Sequence, residues 1–153
     1  MGFYDFDEYE RLLDVAKEFG PTAHLVVLLG GEAGLRCGEM IGLEWGDVDL
    51  VKRQMCIQRS EWRGHVTSPK GGRLRYVPKT ARLAAALQGQ RHLKSKRMLC
   101  LDDCSPLTQD FVGEFVRKAG WKANLPASGA RRLRHTFCSD LTTRNGRARV
   151  GQV

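Results

Sequence analysis

Between Gly20-Pro21 and Gly34 the chain runs from Thr22 to Ala33 through Leu25-Val26-Val27-Leu28-Leu29, apolar at nearly every position. A helix of that composition has no polar face to offer water, so it belongs in the middle of a core with neighbours around it. Gly34 then supplies the left-handed residue that closes such a helix. The apolar run is far too short to span a bilayer, and the acidic N-terminus carries no secretory h-region. At 153 residues there is room for one domain built around such a helix, and not for two full ones.

The flanking segments say what surrounds it. Phe6 to Phe19 has helical spacing (Tyr9, Leu12, Leu13, Val15-Ala16), with Asp5 or Asp7 as cap and Gly20-Pro21 as stop. Cys37 to Leu43 reads as a short helix before the turn Glu44-Trp45-Gly46-Asp47. The period then shortens to two. Gln54–Arg59, Trp62–Ser68 and Arg73–Val77 predict a three-stranded antiparallel sheet over 54–78, with a turn at Pro69-Lys70-Gly71-Gly72 and closure at Pro78. Helices are expected at Thr80–Lys96, from a Thr108 cap through Lys118 with Gly120 as stop, and at Ala130–Thr143. The expected class is α+β, mainly α-helical with one small three-stranded antiparallel sheet.

Charge divides the chain. Residues 1–50 hold 3 Lys/Arg against 11 Asp/Glu, a balance of −8, and residues 51–153 hold 22 against 6, a balance of +16. A basic surface of that size points to a polyanion such as nucleic acid, or to a solvated face. The five cysteines (Cys37, Cys56, Cys100, Cys104, Cys138) are odd in number and form no CxxC pair, as expected of reduced thiols in a cytosolic protein. Cys100 and Cys104 flank two aspartates, but a structural zinc site needs a second ligand pair and only His92 is near, so no metal is expected.

Three basic features carry chemistry. In Gly34-Leu35-Arg36-Cys37-Gly38-Glu39, Arg36 stands at a junction of helices, where it suits an anionic oxygen or simply pairs with Glu39. Lys70 lies on a glycine-flanked turn, free to reach into a groove or to stay in water. In Arg131-Arg132-Leu133-Arg134-His135-Thr136-Phe137, helical spacing puts 131, 134 and 135 on one face and Leu133 and Phe137 on the inner one. Cations gathered in this way repel one another, and an anion between them relieves the repulsion.

In this order and spacing the segments resemble the catalytic domain of tyrosine recombinases, the phage-integrase family, over nearly the whole chain. Gly34 to Asp49 is similar to the family's first arginine box, Lys70 to Pro78 to its lysine hairpin, and Leu133-Arg134-His135-Thr136-Phe137 to its second arginine box. The resemblance implies site-specific cleavage and rejoining of double-stranded DNA through a phosphotyrosyl link, with no metal and no cofactor. Arg36 and Arg134 would hold the scissile phosphate, Glu39 would orient Arg36, and Lys70 would protonate the leaving 5′-oxygen. Arg73, Arg75, Arg132 and His135 are the candidates for further DNA contacts. Implied partners are DNA and other recombinase protomers on it, copies of this chain included, in the cytoplasm of a prokaryote or encoded by a phage or other mobile element, with no membrane.

Two departures from the family pattern shape the expectation. Arg131 stands where the family usually has histidine, and arginine donates to phosphate but shuttles protons poorly. The family's nucleophilic tyrosine would lie beyond Val153, and none of Tyr4, Tyr9 and Tyr76 takes its place. The expectation is therefore a single catalytic domain over 1–153, incomplete at its C-terminus, lacking the N-terminal core-binding domain and unable to cleave alone. The alternative is a non-catalytic DNA-binding relic or decoy that occupies sites or binds a full-length recombinase.

Overall fold

In the computed structural model, residues 4–49, 51–68, 74–90, 95–101, 103–125 and 132–137 are described. Helix α1 (Phe6–Phe19) opens on a capping box: the Asp5 carboxylate accepts the Glu8 N–H at 2.8 Å, and the Glu8 carboxylate accepts the Asp5 N–H at 3.0 Å. Of the two candidate caps, Asp5 is the one used. The apolar segment forms α2 (Pro21–Ala33), with proline at the first helical position, where its missing N–H loses no bond. This helix packs against α1, α3 (Cys37–Gly42), α4 (Ala81–Gln90) and α5 (Gln109–Lys122). Glycines let two neighbours close in on it. A Cβ on Gly31 would overlap the Tyr9 ring, and one on Gly30 would come within 2.8 Å of Leu133 Cβ.

The three-stranded antiparallel sheet is present, but its members differ from those expected. Its order is β1 (Val48–Asp49), β2 (Gln54–Ile57), β5 (Arg75–Pro78). Register pairs Met55 with Val77 and Ile57 with Arg75, and the inward residues Met55, Ile57 and Val77 are buried. The expected middle strand, Trp62–Ser68, instead belongs to a separate hairpin of β3 (Ser60–Trp62) and β4 (His65–Thr67). Arg63 and Gly64 both take positive φ, 48° and 86°, which gives the tight two-residue turn that reverses the chain. The expected turn at 69–72 lies outside the described residues.

Two helix ends also differ. Helix α4 is described to Gln90, and by Lys96 the chain has left helix, because the Lys96 carbonyl accepts the Trp45 N–H at 2.9 Å and Arg97 bridges to Glu44. Helix α5 runs past Gly120 to Lys122. Gly120 is buried in the packed face, and Asn124, at φ 60°, provides the left-handed residue. Residues 132–137 are helical, inside the expected last helix. No helix among the described residues is long and apolar enough to cross a membrane.

Close packing at Gly31 gives a direct check. Gly31→Ala should destabilise the domain by about 1–3 kcal/mol through overpacking. Thermal unfolding followed by circular dichroism should show the midpoint falling by roughly 3–10 °C for a domain of this size.

Candidate nucleic-acid interface

Gly34 ends α2 in the left-handed region, at φ 69° and ψ 28°. Its backbone then faces the helical segment 132–137 from the other end of the chain. The Gly34 carbonyl accepts a hydrogen bond from Arg134 Nε at 3.3 Å, and the Phe137 ring lies where a Cβ on residue 34 would be. Two residues after Gly34 stands Arg36, exposed, at the N-cap of α3. Arg134 is thus bonded to the main chain two residues before Arg36. Arg134 uses Nε for this bond and keeps both terminal nitrogens without a partner among the described residues. The Arg36 guanidinium is likewise unpaired among them.

Glu39 holds Arg36 by the main chain. Its Oε1 accepts the Arg36 N–H at 2.8 Å, and the same oxygen takes Arg75 NH2 at 2.9 Å. An arginine side chain has no acceptor, so only the glutamate half of a capping box exists here. Arg75, expected among the DNA contacts, is therefore ion-paired, and it ties β5 to α3. Arg132 also departs from expectation. Its guanidinium lies 5.1 Å from the Tyr4 ring centroid, and its Nε is buried with no partner. The Tyr4 N–H donates to Thr136 Oγ1 at 2.9 Å, and that hydroxyl donates to the Arg132 carbonyl at 2.9 Å. Thr136, quoted in the sequence motif without a role, therefore pins the start of α1 to the segment that carries Arg134. His135 is exposed on that segment. Lys70, Arg73 and Arg131 lie outside the described residues.

Sequence reasoning missed a second pair of arginines behind α3. Arg97 NH1 donates to the Ile41 carbonyl at 2.7 Å, and Arg59 NH1 to the Gly42 carbonyl at 3.2 Å. Arg59 also pairs with Asp47 at 2.6 Å, and Arg97 with Glu61 at 3.1 Å. Nothing local in the sequence marks Arg97. Arg59 shows only as a cation at the end of an alternating strand. A cavity of about 850 Å³ opens between Trp45–Asp49, Tyr76 and Leu87-Gln88, and none of the expected site residues among those described lines it.

Residues 3–152 match the phage integrase family. A tyrosine recombinase XerC-like protein of Caldanaerobacter subterraneus subsp. tengcongensis is 31% identical over 78 residues, covering 48% of this chain and 19% of that protein. Among solved structures, XerA recombinase superposes with a TM-score of 0.79 at 21% identity, over 95% of this chain and 52% of that one. The Tn1549 transposon integrase in complex with circular intermediate DNA superposes with a TM-score of 0.81 at 19% identity, over 92% and 54%. This chain spans about half the length of the solved recombinases it matches. With the sequence matched almost end to end and the fold shared, the chain belongs to the phage integrase family of tyrosine recombinases.

Proposed function

We propose that this chain grips a backbone phosphate of double-stranded DNA between Arg36 and Arg134, as part of site-specific strand cleavage and rejoining in the cytoplasm. The observation that carries the reading is the Arg134 Nε bond to Gly34, two residues before Arg36. Neither guanidinium has a protein anion of its own among the described residues. Paired forks match the oxygens of a phosphodiester and favour the charge that builds on it as a nucleophile adds. Arg131 adds a further donor, and Lys70 protonates the 5′-oxygen as its bond to phosphorus breaks. Other protomers on the same DNA complete the assembly.

The nucleophile comes from a tyrosine other than the three in this sequence. Tyr4 is 1% exposed, and its ring lies against Arg132. Tyr9 is buried, its hydroxyl donates to Glu32 at 3.1 Å, and burial beside that carboxylate pushes its pKa well above the ordinary range. Tyr76 is exposed on β5, in the lining of the cavity away from the arginines. Cys37 adjoins Arg36, yet burial pushes its thiol up to about 11, so it remains protonated at neutral pH. These environments also favour the second reading, a module that binds DNA without cutting it.

On a short random-sequence duplex, Arg36→Ala and Arg134→Ala should each flatten the slope of log affinity against log salt by about one. Arg36→Lys should restore the slope but only part of the affinity, because ammonium lacks the fork. Fluorescence anisotropy across a salt series measures both, and a slope unchanged in the two alanine variants overturns the reading. Iodoacetamide at neutral pH should modify the exposed Cys104 well before Cys37, and the Cys37 rate should climb as pH rises toward about 11. Peptide mass spectrometry follows both sites, and equal rates at neutral pH would return Cys37 to the list of nucleophiles.

A further inference from the structure

Helix α3, at six residues, is too short to hold itself. Its C-terminal half is buried: Met40, Ile41 and Leu43 are nearly inaccessible. Buried carbonyls at a helix end need donors. Each of the four carbonyls from 40 to 43 has one. Met40 accepts the Leu43 N–H at 3.3 Å, Ile41 accepts Arg97 at 2.7 Å, Gly42 accepts Arg59 at 3.2 Å, and Leu43 accepts the Met98 N–H at 3.0 Å. Two of the four donors are guanidiniums from far along the sequence.

Those guanidiniums are anchored in turn. Arg59 is fixed by Asp47, whose side chain is 3% exposed and whose other oxygen takes Gln58 Nε2. Arg97 is fixed by Glu61 on β3, and Glu44 stands 3.7 Å from Arg59 and 3.9 Å from Arg97. At its other end α3 lies directly on β3, since a Cβ on Gly38 would overlap Ser60 Oγ and come within 2.9 Å of the Glu61 carbonyl. Arg36 is the residue from which this clamped helix begins, and its carbonyl accepts the Met40 N–H at 2.9 Å.

We infer that Arg97 and Arg59 are positioning residues for Arg36, acting by holding the C-terminal carbonyls of α3. The inference rests on the phosphate-binding reading of Arg36 and assigns that site a second tier of arginines that never touch DNA. Their guanidiniums are spent on main-chain carbonyls and carboxylates, with side chains only 19% and 21% exposed. Arg97 contributes through Arg36, so its effect on DNA should vanish when Arg36 is absent.

A double-mutant cycle on the full chain tests this, with a short random-sequence duplex as probe and anisotropy as readout. Arg97→Gln should weaken binding about fivefold and flatten the salt slope by about one, as Arg36→Ala does. In the Arg36→Ala background, Arg97→Gln should cost no further affinity. The same loss in both backgrounds, or no loss in either, overturns the inference. Arg97→Lys guards against simple misfolding: its single ammonium reaches the Ile41 carbonyl or Glu61 but not both, and intermediate affinity is expected. Hydrogen exchange, which needs no DNA, should show the 40–43 amides exchanging faster in Arg97→Gln while those of α2 stay protected. Unchanged exchange at 40–43 also overturns it. Should Arg36→Ala leave the salt slope intact, the phosphate reading fails on its own, and exchange still decides whether Arg97 holds α3.

Discussion

The left-handed turn at Gly34 is the joint on which the site depends. Three demands meet at that one residue: positive φ to end α2, no side chain where the Phe137 ring lies, and a free carbonyl for Arg134. Any Cβ-bearing residue meets the first at a cost of roughly 1–2 kcal/mol and fails the second outright. Because Gly34 is two residues from Arg36, satisfying all three also ties the segment carrying Arg134 to the backbone just before Arg36.

Behind that joint, α2 is buried over most of its length, and the carboxylate near its end is well partnered. Glu32, near its end, receives Tyr9, Thr80 and Arg82, and Arg82 reaches on to Glu10 at 2.8 Å. The Tyr9 hydroxyl keeps its proton in this setting and donates it, which is how a buried tyrosine is accommodated. One carboxylate therefore fastens α1, α2 and the start of α4 around the apolar core. The support is rigid where the site needs rigidity.

The uneven charge of the sequence looks different once the pairs are known. Most ion pairs among the described residues join an acid from the first fifty residues to a base from the remainder: Glu10 and Glu32 to Arg82, Glu39 to Arg75, Glu44 and Asp47 to Arg59, and Glu18 to Lys122. Part of the basic excess is therefore internal fastening. Arg75 and Arg132, both candidates for DNA contacts, are each engaged with the fold, one with Glu39 and one with the Tyr4 ring. The Arg36 guanidinium and the terminal nitrogens of Arg134 have no partner among the described residues. The helices, the buried α2 and the Gly34 cap were legible because each writes a local pattern: periodicity, a cap, a glycine. The hairpin at 60–67 was not. Its turn rests on Arg63 accepting positive φ beside Gly64, and arginine gives no sign of that in a sequence.

The least legible layer is the one behind Arg36. A motif records which residues meet the ligand, because ligand chemistry restricts them. It does not record which residues hold the motif's backbone, because a carbonyl accepts from any donor that arrives with the right geometry. Arg97 is 61 positions from Arg36 and meets α3 at the Ile41 carbonyl, so no spacing rule could have linked them. A six-residue helix makes this acute, since its last carbonyls have no later helical N–H groups to accept from. Something outside must supply donors, and here two guanidiniums do so while braced against Asp47 and Glu61. On the inference drawn above, where α3 begins, and Arg36 with it, is a tertiary property, set by side chains that belong to neither arginine box.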